Sequence, residues 1–179
     1  MTVISKKICL IGDFGVGKTS LIRRFVDRQF SDRYLSTVGV KISRKMVELS
    51  HKASLNQDDA ITQLQLMIWD VEGKTQFKAI APSYLQGAKG GIIVADASRP
   101  KTVISLAEHA NLFQSVNKGG RLILAINKTD LVSREELMKL VQIARQGCKD
   151  KVFAAYATSA KTGAYVDDMF EKLSLSLVK

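Results

Sequence analysis

The sequence predicts an α/β protein with a mostly parallel, six-stranded sheet and helices on both faces. Apolar runs alternate with amphipathic stretches from one end of the chain to the other, which is typical of a sheet built from strand and helix units. A glycine-rich turn follows the first apolar run and opens a helical stretch. No low-complexity segment or Ser/Gly-rich linker divides the 179 residues, so we expect one domain over residues 1–179.

The elements follow from the apolar periodicity. Strands are predicted at residues 3–11, 40–49, 62–69, 91–96, 122–127 and 152–156. Helices are predicted at residues 19–27, about 75–86, 101–117, 134–145 and 164–178. Ser133 and Glu136 form a capping box for the fourth helix. No helix separates the second and third strands, so we expect an antiparallel hairpin. Its polar tip, residues 50–61, is interpreted as a tolerated insertion rather than a partner contact.

Composition limits the function classes. The formal net charge is +10, and nine basic residues accompany only three acidic ones between Lys18 and Lys52. We interpret this excess as a solvated face rather than a site for an acidic partner or an anionic membrane. No aromatic residues interleave the basic ones in the manner of a nucleic-acid-binding platform, which argues against a nucleic-acid partner. The chain shows no signal peptide or membrane span. We therefore expect a cytoplasmic protein with Cys9 and Cys148 as reduced thiols.

The glycine-rich turn reads Gly-Asp-Phe-Gly-Val-Gly-Lys-Thr and matches the pattern Gly, four residues, Gly-Lys-Ser/Thr. In such a loop the backbone N–H groups converge on an anion, and a lysine and a hydroxyl complete the site. The helix that follows directs the positive end of its dipole at the phosphates. The predicted phosphate-binding residues are Gly12, Asp13, Phe14, Gly15, Val16, Gly17, Lys18, Thr19 and Ser20.

Three further polar clusters follow predicted strands. Asp70 to Gly73 come after the third strand, Asn127 to Asp130 end the fifth, and Thr158 to Lys161 follow the sixth. Because ligands of such sheets bind beyond the C-terminal ends of the strands, we expect these clusters to meet the phosphate loop at one edge.

Together with Thr37, these stretches resemble the motifs of the Ras-like small GTPases, in the family's order and over essentially the whole chain. The Rab-like branch is the most similar, because Trp69 and residues 80–84 resemble the second switch of Rab proteins. Ile42 departs from it, since Rab proteins usually carry phenylalanine there. The resemblance implies the P-loop NTPase fold of a G domain. It also implies a molecular switch that binds GTP or GDP with Mg²⁺ and hydrolyses GTP.

Guanine recognition is assigned first to Asp130. A carboxylate accepts hydrogen bonds from both N1–H and the exocyclic amine of guanine, whereas adenine would leave it unpaired. This disfavours an ATP-using phosphotransferase built on the same loop. The resemblance further implies that Asn127 ties the base loop to the phosphate loop and that Lys128 covers one face of the purine. The other implied guanine-binding residues are Phe30, Ser159, Ala160 through its N–H, and Lys161.

The resemblance assigns the phosphates and the metal as well. Lys18 would neutralise the β and γ phosphates, and Gly73 would direct its N–H at the γ-phosphate. Thr19 and Thr37 would ligate Mg²⁺, and Asp70 would hold it through a water molecule. Loss of the γ-phosphate would release two switch segments, residues 30–40 and 71–84. These segments are where effectors, an exchange factor and a GTPase activator are expected. Tyr34 is expected to cap the closed first segment.

Two departures from the family pattern concern hydrolysis. Lys74 stands where the family has a catalytic glutamine, and an ammonium has no acceptor with which to orient the attacking water. Phe14 stands in the phosphate loop where relatives have a small residue. We therefore expect slow GTP hydrolysis and resistance to an arginine-finger activator, unless Phe14 folds away and a partner supplies the missing group. The alternative is a pseudo-GTPase, an interaction module with a structurally bound nucleotide.

The C-terminal residues 175–179 contain no cysteine to prenylate, so no lipid anchor is expected. An atypical or prokaryotic member of the family fits this sequence as well as a truncated eukaryotic one.

Overall fold

The structure, a computed structural model, describes residues 3–33, 37–50, 61–73 and 81–178. Its strands are β1 Val3–Ile11, β2 Val40–Ser50, β3 Ile61–Val71, β4 Gly90–Asp96, β5 Arg121–Asn127 and β6 Ala154–Ala157. Its helices are α1 Lys18–Asp27, α2 Ala81–Leu85, α3 Pro100–Ile104, α4 Leu106–Val116, α5 Arg134–Gly147 and α6 Val166–Ser176, with a short 3-10 turn at Thr129–Leu131.

The six strands form one sheet in the order β2-β3-β1-β4-β5-β6. All neighbouring pairs are parallel except β2 and β3, which form the expected antiparallel hairpin with Ile42 opposite Trp69. The predicted α/β fold is therefore confirmed. The predicted hairpin tip lies mostly at residues 51–60, outside the described residues.

Apolar side chains are buried on both faces of the sheet. On one face, Phe25 of α1 stacks on Phe170 of α6 with ring centroids 4.1 Å apart. On the other, Phe113 of α4 is fully buried in a cluster with residues of α3 and α5. Burying one such ring contributes roughly 2–3 kcal/mol. Every residue of β4 is buried, as expected for a central parallel strand covered by helices on both sides.

The helix predicted at residues 101–117 is wrong as a single element, because the chain breaks it at Ser105 into α3 and α4. Pro100 begins the first piece, where its missing N–H costs nothing. The Ser105 hydroxyl then donates to the carbonyl of Lys101 at 3.1 Å, which competes with the regular helical ladder. Of the helix predicted at 75–86, only α2 lies within the described residues.

Two smaller predictions are confirmed. Ser133 accepts from the N–H of Glu136 at 3.2 Å, and the Glu136 carboxylate accepts from the N–H of Ser133 at 2.9 Å, so the capping box is complete. Cys9 and Cys148 are buried free thiols. Within the described ranges, no helix has the length and apolar character needed to cross a membrane.

Candidate nucleotide-binding site

A cleft of about 270 Å³ lies beyond the C-terminal ends of the strands. It is bordered by the phosphate loop after β1, the end of β3, the end of β5 and the loop after β6, so the clusters predicted at separate strand ends do meet. From the predicted site, the residues lining it are Phe14, Gly15, Gly17, Lys18, Thr19, Ser20, Phe30, Thr37, Gly73, Asn127, Lys128, Asp130, Ala160 and Lys161.

The ammonium of Lys18 is held inside the phosphate loop. It donates to the carbonyls of Gly12 at 2.8 Å and Asp13 at 3.0 Å, and the residue is only 6% exposed. Burial lowers the pKa of Lys18 to about 8, although the nearby carboxylates of Asp70 and Asp13 act in the opposite direction. A phosphate in the cleft would restore the preference for the charged form.

Two glycines are required by close approach. Gly17 has a φ of +100°, and a Cβ there would lie 2.3 Å from the Asn127 amide nitrogen. That amide donates to the carbonyl of Val16 at 3.0 Å, which ties the loop after β5 to the phosphate loop. A Cβ on Gly73 would lie 2.5 Å from the Gly12 carbonyl oxygen. The loop after β3 is thus packed directly on the phosphate loop.

Three oxygen-bearing side chains converge next to Lys18. The hydroxyls of Thr19 and Thr37 lie 2.8 Å apart, and both donate to Oδ2 of Asp70, Thr37 at 3.3 Å. The other oxygen of Asp70, Oδ1, is buried and accepts no hydrogen bond from the residues described. Burial raises the pKa of Asp70, against the lowering effect of the Thr19 hydrogen bond and the Lys18 charge.

This donor set fits a magnesium ion. Mg²⁺ prefers hard oxygen ligands and keeps several of its waters. Two hydroxyls could coordinate it directly, and the unpartnered oxygen of Asp70 could accept from a coordinated water. Among the described residues, no group of three or more His, Cys, Asp or Glu side chains offers another kind of metal site.

At the opposite end of the cleft, the predicted guanine-binding residues are joined by hydrogen bonds. Ser159 donates through its hydroxyl to Oδ1 of Asp130 at 2.6 Å. Asn127 Oδ1 accepts from the Thr158 hydroxyl at 3.3 Å and from the Ala160 N–H at 3.2 Å. The Ala160 N–H therefore already has a long bond within the protein.

Lys128 reaches from the β5 loop to the phosphate loop. Its ammonium donates to the carbonyl of Gly15 at 2.8 Å and to Oδ2 of Asp96 at 2.6 Å. Asp96 is 1% exposed and also accepts from Ser98 and Arg99. Burial alone would raise the pKa of Asp96, but these donors, with Lys128 foremost, outweigh it and hold the pKa below its usual value.

Asp96 and two residues that support the phosphate loop from outside were not predicted from the sequence. Arg99 donates to the carbonyl of Phe14 at 2.8 Å, and Nε2 of His109 lies 2.8 Å from Oδ1 of Asp13. A signal for Asp96 existed, because it ends β4, a strand end that the motifs left without a role. Nothing in the sequence marked Arg99 or His109.

Phe14 and Phe30 both line the cleft. Phe14 is 38% exposed, so its ring is not folded into the core, whereas Phe30 packs against the cluster beneath α1 and α6. Two further predicted residues, Lys74 and Tyr34, lie outside the described residues.

Two hydrogen bonds join Gly39, which precedes β2, to Glu72, which follows β3. The N–H of Gly39 donates to the Glu72 carboxylate at 2.6 Å, and the N–H of Glu72 donates to the carbonyl of Gly39 at 2.9 Å. Thr37 and Gly73 are therefore carried by loops that are bonded to each other.

The fold and the cleft define a P-loop nucleotide-binding domain. Residues 7–130 match the family described as Roc, Ras of Complex, domain of DAPkinase. The chain is 30% identical to Ras-related protein Rab-13 of Mesocricetus auratus, over 96% of this chain and 79% of that protein. It is 32% identical to Ras-related protein Rab-1C of Dictyostelium discoideum (97% and 81%) and to Ras-related protein Rab-10 of Caenorhabditis elegans (96% and 80%). The chain therefore belongs to the Roc/Ras-like small GTPases and has Rab proteins among its relatives.

Membership of this family implies a GTP-binding switch, and it agrees with the resemblance of the sequence motifs. Related proteins of the Ras and Rab groups are GTPases that bind guanine nucleotides and interact with regulators and effectors.

Proposed function

We propose that residues 1–179 form a single G domain that binds GTP and GDP with Mg²⁺, hydrolyses GTP slowly and signals to effectors through residues 30–40 and 71–84. The observation that carries this proposal is the convergence, in one cleft, of a phosphate loop and a carboxylate held by hydrogen bonds. We also propose that exchange factors and GTPase activators bind the same two segments, and that the protein works in the cytoplasm.

Base selection is proposed to rest on Asp130. Its Oδ1 accepts a hydrogen bond from the Ser159 hydroxyl at 2.6 Å, which fixes the orientation of the carboxylate in the cleft. Guanine presents two adjacent donors to such a group, and adenine presents an acceptor at N1. Asp130 is exposed in the free protein, but a bound base would cover it. An adenine nucleotide would thus leave a covered carboxylate unpaired, a cost of about 1–3 kcal/mol. Phe30, Lys128, Ala160 and Lys161 would enclose the base.

Phosphate binding is proposed for Lys18 and the N–H groups of residues 12–20. The buried ammonium is already directed into the loop by two carbonyls, so little side-chain entropy remains to be lost on binding. Thr19 and Thr37 would hold Mg²⁺, with Asp70 accepting from one of its waters. The ion would offset the phosphate charge. Gly73 would donate its N–H to the γ-phosphate.

Slow hydrolysis is proposed from Phe14 and Lys74. Orientation of the attacking water needs a group that accepts a hydrogen bond from it. The Lys74 ammonium offers three donors and no acceptor. Phe14 lines the cleft, and we propose that its ring lies beside the space that a catalytic amide or an arginine finger would need. Lys74 could still supply charge to the γ-phosphate.

The nucleotide assignment is tested by identifying the nucleotide that co-purifies with the protein and by competing GDP against ADP for the site. We expect a guanine nucleotide and a strong preference for GDP. Failure of guanine nucleotides to outcompete adenine nucleotides would overturn the assignment and favour an ATP-using phosphotransferase.

The hydrolysis assignment is tested by single-turnover GTP hydrolysis of the wild type, Lys74→Gln, Phe14→Gly and the double variant. We expect the double variant to be at least about tenfold faster, because an amide that both donates and accepts orients water as an ammonium cannot. A wild type as fast as the double variant would contradict the proposal.

A second candidate function is favoured by the same two residues. If neither replacement restores turnover, the chain is a pseudo-GTPase whose nucleotide is structural. Such a module would show the same hydrogen exchange at residues 30–40 and 71–84 with GDP and with a non-hydrolysable GTP analogue, whereas a switch would show different exchange.

A further inference from the structure

Arg24 links the helix that follows the phosphate loop to the loop that follows β6. Its Nε donates to the carbonyl of Ala160 at 2.8 Å, and its Nη2 donates to the carbonyl of Lys161 at 2.5 Å. The residue is half-buried, and its two acceptors are consecutive main-chain carbonyls. A planar fork with donors in fixed positions is suited to such a pair.

These bonds continue to the carboxylate of Asp130. The Lys161 carbonyl and the Thr162 N–H belong to the same peptide group, and that N–H donates to the Ser159 hydroxyl oxygen at 3.1 Å. The Ser159 hydroxyl in turn donates to Oδ1 of Asp130 at 2.6 Å. A cation on the carbonyl polarises the peptide and strengthens its N–H as a donor, and bonds in such a chain reinforce one another.

The orientation of the Ser159 proton follows from this chain. A hydroxyl has one proton and accepts through its lone pairs. Because the Thr162 N–H occupies an acceptor position and Ser159 is 1% exposed, the proton is left to point at Asp130. Arg24 thus acts on Asp130 through a peptide group and a hydroxyl, without contacting Asp130 itself.

We propose that Arg24 is a positioning residue for guanine specificity, which holds the turn at residues 159–162 in register with Asp130. This rests on the proposed function, in which Asp130 receives the N1–H and amine donors of guanine. Arg24 lies on α1, the helix that begins at Lys18. A single helix therefore carries Lys18 of the phosphate loop and also, through Arg24, holds the loop next to Asp130.

Arg28, the residue that directly follows α1, provides a matched comparison. It also bonds across to the C-terminal part of the chain, but its partner is the side chain of Asp167, and the two side chains are 59% and 57% exposed. It is thus an arginine at the end of the same helix whose long-range bond, among the described residues, reaches α6 and not the loop that follows β6. Loss of that pair should leave base selection unchanged.

The test compares the affinities for GDP and IDP, because inosine lacks the exocyclic amine that Asp130 is proposed to receive. For Arg24→Met we expect the GDP-over-IDP preference to fall by about fivefold to tenfold, the scale of one charge-assisted hydrogen bond. Arg24→Lys, a point charge without the fork, should lose part of the preference. Arg28→Met should keep all of it.

A double-mutant cycle with Ser159→Ala makes the test specific. Ser159→Ala removes the hydroxyl that connects the Thr162 N–H to Asp130. Adding Arg24→Met to it should therefore lower the GDP-over-IDP preference no further. Equal weakening of GDP and IDP by Arg24→Met, or a full additional loss in the double variant, would mean that Arg24 is only a structural brace. If Arg24→Met fails to fold, the same ratio measured on Arg24→Lys decides.

The outcome for the wild type separates this inference from the proposed function. A wild type that does not prefer GDP to ADP contradicts the proposed function itself. A wild type that prefers guanine, together with Arg24 variants that keep the GDP-over-IDP ratio, overturns the role of Arg24 alone.

Discussion

The two ends of the cleft differ in how their polar groups are hydrogen-bonded. We call the end at Asn127, Asp130 and Ser159 the base end, and the end at Lys18 and Asp70 the phosphate end, after the proposed function. At the base end, Ser159 donates to Asp130 and Asn127 bonds to Val16 and Ala160, all within the protein. At the phosphate end, two threonine hydroxyls crowd one oxygen of Asp70 while its other oxygen is buried without a partner among the described residues.

The difference indicates where the chain itself supplies order and where a ligand must. Buried polar groups that are fully paired specify a unique geometry, whereas an unpaired buried oxygen is costly until a ligand or water reaches it. Asn127 and Ser159 are buried and bonded within the protein, so they are preorganised. Lys18 is held in place as well, but the geometry around Asp70 is expected to be completed only when phosphate and metal bind.

The largest expected effect is at the base end. Asp130→Asn should weaken GDP binding by about 100-fold or more, because the new amide presents a donor to the donors of guanine and leaves them unpaired. Xanthosine diphosphate, which offers an acceptor there, should gain. Fluorescence competition measures both, and Asp150→Asn at an exposed position is the control. Unchanged GDP affinity would remove Asp130 from base selection.

Asp96→Asn tests the residue that connects the two ends. The Asp96 carboxylate accepts hydrogen bonds from Lys128, Ser98 and Arg99. Its replacement should lower the free energy of unfolding by about 2 kcal/mol. The matched control, Asp167→Asn, breaks only an exposed pair and should cost less than about 0.5 kcal/mol. Urea unfolding measures both, and equal costs would contradict the central position given to Asp96.

The same carboxylate predicts a pH dependence. Because the pKa of Asp96 is lowered in the folded state, its contribution is present above the ordinary carboxyl pKa and is lost as the pH falls through the lowered value. Acid unfolding of Asp96→Asn should therefore be less steep than that of the wild type. Identical acid profiles would show that Asp96 is not among the acid-sensitive groups.

Hydrogen exchange compares the ends directly. The N–H groups of Thr158, Ser159 and Gly163 already donate to carbonyls within the protein, so GDP should change their exchange little. The N–H groups of residues 12–19 should gain at least about tenfold in protection, because phosphate becomes their acceptor. Equal gains at both ends would abolish the distinction between them.

The smallest expected effect is the uptake of a fraction of a proton when GDP binds. With a pKa of about 8 for Lys18 in the free protein, binding of GDP at pH 8 should take up about half a proton as phosphate restores the charged ammonium. Affinity should accordingly fall as the pH rises above 8. Calorimetry in buffers of different ionisation enthalpy measures the uptake. GMP, which has no β-phosphate, is the control and should take up less.

Much of the fold and of the site could be predicted because both depend on local patterns. Alternating apolar runs predicted the sheet. Four short motifs predicted the cleft, because parallel strands bring their C-terminal ends to one edge. The cross-connections were not predictable. Arg24 meets Ala160 and Arg99 meets Phe14 across long stretches of chain, and a long side chain that bonds to a main-chain carbonyl leaves no mark on the partner's residue type.

The two hydrogen bonds that join Gly39 to Glu72 also affect the dynamics of the residues beside them. Residues 37–39 and 72–73, joined in this way, are expected to move together, because either stretch must break both bonds to move alone. Relaxation dispersion should therefore yield one exchange rate for Thr37 and Gly73. A partner that contacts only one of these loops then receives the state of both, and at the same moment.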